Sequence, residues 1–462
     1  MTVALRSLAL CAVLGLAACA TVPVAPVERP VDRRAPSAEA LPPMKNFGTP
    51  RIKRPTRSNQ SIAEDILDLT FQLESGRQLP VLTRFEGPIT VRLQGAASGQ
   101  TEADLDRLLR RLRNEAKIDI SRVPTNTPAN ITVEVIPRRD LQRAVPQAAC
   151  FVVPRMASWA DFKRNRRSSL LDWTTLRERS QMAVFIPGDV SPQEVRDCLH
   201  EELAQAIGPL NDLYRLSDSV FNDDNFHTVL TGFDMLVLRA LYSPELGSGM
   251  TRDQVAAALP GILSRLNPAG RKASNDPRDA TPRRWINAFE TAGGPRTTPS
   301  RRRASARDAV EIARASGWTD TRAAFSLYAL GRLSIGTEPE AAMIAFLQSG
   351  SLYRQSEETD LQAAHVAMQL AAFALSAGQA NVALEIVDQN IPPVALAENA
   401  ALLSTLLMVK AEALELNGRM SEAASVRRES LGWARYGFGS DAEVRARMAE
   451  IAALTPRPPA GL

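Results

Sequence analysis

Cys198-Leu-His-Glu-Glu-Leu-Ala-Gln-Ala-Ile-Gly-Pro-Leu-Asn-Asp212 is where polar groups fall at helical spacing inside an otherwise apolar segment. Glu201 and Gln205 are four residues apart, so on a helix they share a face. Leu203, Ala206 and Ile207 are free to pack on the other side. Gly208 allows a turn out of the helix, and Asn211-Asp212 then returns a third polar group toward the first face.

This spacing resembles the long metzincin form of the zinc-peptidase helix, H-E-x-x-H-x-x-G-x-x-H/D. The resemblance puts Glu201 at the first ligand position and Glu202 at the general base. Gln205, Gly208 and Asn211 take the second ligand, the glycine and the third ligand. All three histidines are absent, and His200 cannot rescue the frame because Ala204 stands four residues on. Zinc favours imidazole and thiolate, and neutral amide oxygens are poor substitutes. The resemblance therefore implies a zincin-like scaffold with no firm metal site. A divalent cation on oxygen ligands is the alternative, for instance calcium on Asp212, Asp218, Asp223 and Asp224, although these acids lack the spacing of an EF-hand loop.

Outward from that helix, the chain has 462 residues and 45% hydrophobic content, enough for two or three folded domains. A formal net charge of +4 on 55 basic and 51 acidic residues gives no basis for nucleic-acid binding.

At the start, Arg6 precedes the apolar run Leu8 to Ala18, the layout of an export signal and too short for a spanning helix. Leu16-Ala17-Ala18-Cys19 resembles the lipobox of bacterial lipoproteins. That resemblance implies a signal peptide over 1–19, acylation of Cys19 and a lipid anchor. Ala20 is not the aspartate that retains such proteins at the inner membrane, so the periplasmic face of the outer membrane is expected. Residues 20–58 are proline-rich and aromatic-poor, as in an extended tether. Its basic residues Arg51, Lys53, Arg54 and Arg57 are expected to be solvated. Cys11 would leave with the signal. Cys150 and Cys198 would then form a disulfide in an oxidising compartment, with two buried free thiols as the alternative.

Residues 59–267 read as an α+β domain. Ser61 caps a first helix, and Glu102 to Ala116 is amphipathic through Leu105, Leu108, Leu109 and Leu112. Ile89 to Leu93, Ile131 to Ile136, Ala149 to Val153 and Met182 to Ile186 are strand candidates. Ser191-Pro192 opens the helix that carries Glu201. Strands and helices mixed ahead of one central helix are the order of zincin-like domains. Met235 and Met250 are expected in the core. Leu230 to Pro244 looks like the helix that follows the active site in matrixin-type peptidases. The stretch from about 57 to 267 also resembles a family of uncharacterised proteobacterial lipoproteins, through Cys198-Leu-His-Glu-Glu-Leu-Ala-Gln, Asn211-Asp212, Phe221-Asn-Asp-Asp and Leu230-Thr-x-Phe-Asp. That resemblance brings no activity.

Residues 268–303 read as a linker with a short helix around Trp285. From 304 to 453 the pattern is helical and alanine-rich, followed by a tail over 454–462. Gly336, Gly378 and Gly418 are each followed five residues later by an alanine: Ala341, Ala383 and Ala423. This resembles tetratricopeptide hairpins, with a period of about forty in place of ~34. Stacked helix pairs offer a face to an envelope peptide or protein; the alternative is a bundle that only braces the first domain.

The expected fold is thus an α+β zincin-like domain followed by an all-α helical-repeat domain. The expected function is a lipid-anchored, non-catalytic binding scaffold. The alternative is a metal-dependent hydrolase in which Glu202 is the base and Glu201, Gln205 and Asn211 are atypical oxygen ligands.

Overall fold

The computed structural model describes residues 40–48, 50, 52–146, 148–273, 280–294 and 297–456. Cys19, the signal, the first half of the tether, Arg51 and the last residues of the tail lie outside that description.

The first helix, α1 (Asn59–Thr70), starts one turn earlier than Ser61 suggested. Ser58 is its cap, with its side chain accepting from the Ser61 amide, because Ser58 has the extended backbone that a capping residue needs. There follow β1 (Ile89–Gly95), α2 (Gly99–Arg111, prolonged by a π-turn through Ala116), β2 (Ile120–Arg122) and β3 (Ile131–Ile136). Then come α3 (Arg138–Ala144), β4 (Phe151–Pro154), α4 (Trp159–Asn165) and β5 (Met182–Pro187). The sheet order is β2-β1-β3-β5-β4, with β4 alone antiparallel to its neighbour.

Both faces of this sheet are covered, which is why β5 is buried along its whole length. Residues Val91, Leu93, Val133 and Val184 face α2 and the central helix α5 (Pro192–Ile207), together with Leu105, Leu108, Leu109 and Leu112. On the other face Ile136, Val153, Ala183 and Phe185 meet Leu141, Met156 and Phe162. Ser191 caps α5 through the Glu194 amide, and Pro192 occupies its first turn. The domain closes with α6 (Gly232–Leu241) and α7 (Arg252–Leu266). Met235 is buried in the core, and Met250 is packed against it.

Cys150 and Cys198 are disulfide-bonded, with Cα atoms 5.9 Å apart. The bond fastens the edge strand β4 to α5.

The helical region runs α8 (Arg283–Gly293), α9 (Pro299–Ala315), α10 (Thr321–Ser334), α11 (Pro339–Gln355), α12 (Asp360–Ser376), α13 (Ala380–Leu396), α14 (Ala400–Leu416), α15 (Met420–Gly437) and α16 (Asp441–Ala452). The helix around Trp285 is α8, and α9 begins inside the stretch read as linker. Left-handed turn residues recur at Glu358, Gly378, Glu398 and Gly418, twenty residues apart. Two helices and two turns therefore make the period of forty. Ala383 and Ala423 are buried at the hairpin crossings. Ala341 is not: it is exposed, and Ala342 is the buried residue. Gly336 lacks the left-handed conformation of Gly378 and Gly418, so the first hairpin is one residue out of step.

The helical arm is folded back onto the α+β domain along the edge that carries Glu358 and Glu398. Part of the segment read as tether is used in that contact. Phe47 is buried, stacked on Trp433 at 4.5 Å between ring centroids. The Lys45 amide donates to the Gly432 carbonyl, and its ammonium pairs with Glu429. Farther on, Lys53 pairs with Glu358 and Arg57 with Asp65 and Asp218. A Cβ on Gly232 would lie 1.9 Å from the Lys53 carbonyl oxygen, so this position needs glycine for the strap to pass. Composition alone reads this segment as solvated; Lys45, Phe47 and Lys53 are held by partners more than 300 residues on, and Arg57 by Asp65 and Asp218.

Candidate functional site

Helix α5 is the hub of the molecule. One side packs into the sheet through Val195, Leu199, Leu203 and Ala206. Another meets the helical arm. Gln193 donates to Asn399 and accepts from the Ala401 amide. Arg196, 1% exposed, pairs with Glu398, and its guanidinium lies against the rings of Phe47 and Tyr436. At the far end, Arg179 donates to the Gln205 and Gly208 carbonyls and so satisfies the last turn. Burial lowers the pKa of this guanidinium to about 10. A side chain on Gly208 would run into Leu238, so packing fixes this glycine.

His200 is not a metal-facing group. Its Nδ1 accepts the Leu230 amide at 3.0 Å. Burial, with Arg111, Arg196 and Arg107 nearby, holds its pKa well below the usual histidine value, so the ring is neutral and protonated at Nε2.

Glu201 and Glu202 share one neighbourhood. Glu202 is buried, and its Oε2 is closed off from solvent with no hydrogen-bond partner. Its pKa is pushed up to about 8, first by burial and then by the charges of Glu74 and Asp197. Glu201 is half-buried; burial, Glu202, Asp212, Asp197 and Asp223 push its pKa well up. Gln205 is buried on α5, and the Asn211 amide turns away to donate to the Asp68 carbonyl at the end of α1. The Asn211 amide is thus engaged with α1. Among the described residues, no three His, Cys, Asp or Glu side chains are grouped closely enough to hold a metal ion.

The acidic loop also sorts itself. Asp218 pairs with Arg57, and Asp224 accepts from the Phe226 amide and the Asn222 side chain. Those two are structural. Asp212 and Asp223 instead face Glu201, Glu202 and Glu74. Asp212 and Glu74 share a hydrogen bond, and Asp212 Oδ1 is buried without a partner in hydrogen-bonding range. Tyr214 donates its hydroxyl to Asp223 at 2.7 Å. Glu74 was not singled out by sequence reasoning. It lies 127 positions before Glu201, beyond the reach of any local spacing rule.

The Leu230-Thr-Gly-Phe-Asp234 motif has a plain structural task. Thr231 and Asp234 form a reciprocal capping box at the start of α6. Asp234 also accepts from the Ser219 hydroxyl and the Val220 amide, which pins the acidic loop to α6. The loop then feeds Phe226 into the arm, where its ring meets Phe325, Tyr328, Tyr353 and His365.

Two surface depressions, of about 480 and 340 Å³, lie away from α5. One is between α8 and α9 and the other between α2 and β2.

Residues 59–261 match the family described as "Protein of unknown function (DUF2927)", so the chain carries a DUF2927 domain extending from α1 into α7. No curated protein and no solved structure matches the chain.

Proposed function

We propose that the protein is a non-catalytic binding scaffold of the cell envelope, moored by an acyl group on Cys19 and presenting a peptidase-like domain braced by a helical-repeat arm. The periplasmic face of the outer membrane is its expected place. The partner is an envelope protein or peptide.

The observation that carries this reading is the contrast between the two edges of the arm. The inner edge is committed to the α+β domain through Glu358 and Glu398. Ile344 at 56%, Leu347 at 53% and Met420 at 60% are left exposed on α11 and α15, and Met343, Val382 and Leu416 are exposed on α11, α13 and α14. Exposed apolar side chains recur near the starts of α11, α13 and α15, the equivalent place in successive hairpins, and apolar side chains gathered in one patch mark an interaction surface. Replacing Ile344, Leu347 and Met420 by aspartate, in a chain that still folds, should abolish capture of crosslinked envelope partners. Unchanged capture would remove the arm from recognition. Deleting the arm would be a poor test, because it would strip cover from Arg196 and Phe226.

The alternative reading, a metal-dependent hydrolase with Glu202 as base, is favoured by the buried, unpaired Glu202 Oε2. Stoichiometric metal in the purified protein, lost in Glu201→Ala, would support it.

A further inference from the structure

Five carboxylates, Glu74, Glu201, Glu202, Asp212 and Asp223, lie within electrostatic reach of one another on the loop after α1, helix α5 and the loop after α5. They form a gradient from the surface inward. Glu74 and Asp223 are exposed, Glu201 and Asp212 are half-buried, and Glu202 at the bottom is 5% exposed. Two oxygens inside, Glu202 Oε2 and Asp212 Oδ1, are closed off from water and accept no hydrogen bond. The neighbouring charges that act on Glu201, Glu202 and Asp212 come from carboxylates.

This arrangement is costly for the empty protein. A buried carboxylate oxygen without a donor loses its hydration for nothing in return, and like charges at close range raise the cost. Orphaned carboxylate oxygens occur elsewhere too, at Asp104 and Asp218, but Asp218 has Arg57 beside it and the buried Glu398 has Arg196. The acids around Glu202 are left facing one another. Such a group of acids fits a positive ligand from outside the chain.

The geometry also selects the kind of cation. The carboxylates do not converge on one point, as an inner-sphere ion requires. An ammonium or guanidinium presents three to five N–H donors and satisfies oxygens that are spread apart. Tyr214 adds an aromatic wall, fixed at its hydroxyl by Asp223 and at its ring by Trp285, 4.9 Å away.

We propose that this acidic cluster receives the lysine or arginine side chain of a polypeptide partner. The inference rests on the binding-scaffold reading and names the ligand chemistry of its α+β domain.

The test uses the full chain, calorimetry and thermal unfolding. The probes are acetylated, amidated pentapeptides with one central lysine, arginine or norleucine among glycines, and calcium chloride alone. Saturable binding of the lysine or arginine peptide, and none of the norleucine peptide, is expected. Glu202→Gln and Asp212→Asn should each weaken that binding by about tenfold, the scale of one charge-assisted hydrogen bond. Both variants should also raise the Tm of the unliganded protein at neutral pH, since each removes a carboxyl that must take up a proton, or keep its charge at a cost, on folding. A merely structural role would lower it. No saturable binding, equal binding of the norleucine peptide, or stoichiometric calcium that excludes the peptides would overturn the proposal. A chain that ignores the peptides yet still captures partners through Ile344, Leu347 and Met420 would lose this site and keep the scaffold reading. Peptide binding that survives the loss of edge capture would do the reverse.

Discussion

Arg196 of α5 donates to the Glu398 carboxylate at 3.0 Å and also to its backbone carbonyl, with the rings of Phe47 and Tyr436 against the guanidinium. One buried side chain thus touches the α+β domain, the strap and the helical arm. Removing one member of a buried pair leaves the other uncompensated, at a cost of about 3–5 kcal/mol. Arg196→Met and Glu398→Gln should each destabilise by roughly that amount. In a denaturant double-mutant cycle the double variant should fall well short of the sum, because the second change removes a charge already stranded.

Glu398 occupies a left-handed turn, at φ 55°, where Gly418 stands one turn later in the repeat. An L side chain there costs about 1–2 kcal/mol that glycine avoids. Glu398→Gly should therefore be less damaging than Glu398→Gln, in spite of removing more atoms. Midpoints of denaturant unfolding would decide it, and an inverted order would show that the backbone relief counts for less than the remaining contacts of the side chain.

Phe47 is the anchor of the strap. Phe47→Ala removes the ring stacked on Trp433 and should cost about 2–4 kcal/mol locally. Because Lys45 is next to it in the strap, trypsin should cut there in the variant and spare it in the parent, with α1 to α7 still folded.

The Cys150–Cys198 disulfide closes a long loop, with a sequence separation of 48. Replacing both cysteines by alanine should lower stability by about 2–4 kcal/mol. Reduction of the parent under non-denaturing conditions should have a similar effect on Tm.

Stability should peak in mildly acidic solution. Burial lowers His227 to about 4 and His365 to about 3. Such groups take up protons on unfolding, so the fold weakens as pH falls below the ordinary histidine value of about 6.5. Glu202, raised to about 8, Asp197, raised to about 7, and Asp234, raised to about 6, act in the opposite sense. Each holds its proton longer in the folded state, so its stabilisation is complete below about pH 4 and is lost as pH climbs through those values. Glu202→Gln should flatten the decline between pH 5 and 8. An unchanged slope in that window would show that Glu202 is not among its causes.

Much of the α+β domain was legible because its signals are local. Ser191-Pro192 caps α5 where the sequence placed the cap, and the alternating runs at Ile89 and Ile131 became β1 and β3. The repeat was legible through Gly378 with Ala383 and Gly418 with Ala423, since each turn and crossing lie within one hairpin. Glu358 and Glu398 escaped notice because a left-handed glutamate has no compositional mark. The strap escaped because its partners, Trp433 and Glu429, are at the other end of the chain. The site was half legible: α5 announces Glu201 and Glu202, whereas Glu74 joins them only through the fold.

The strap also decides how the molecule carries load. Lys45 and Phe47 are bound to α15, near the last helix, before the chain enters the α+β domain at α1. A pull from the N-terminal side therefore loads the Lys45–Glu429 and Phe47–Trp433 contacts first and passes into the helical arm. The Phe47 carbonyl also accepts from Arg107 of α2, so the same pull is shared between the arm and the helix that covers the sheet.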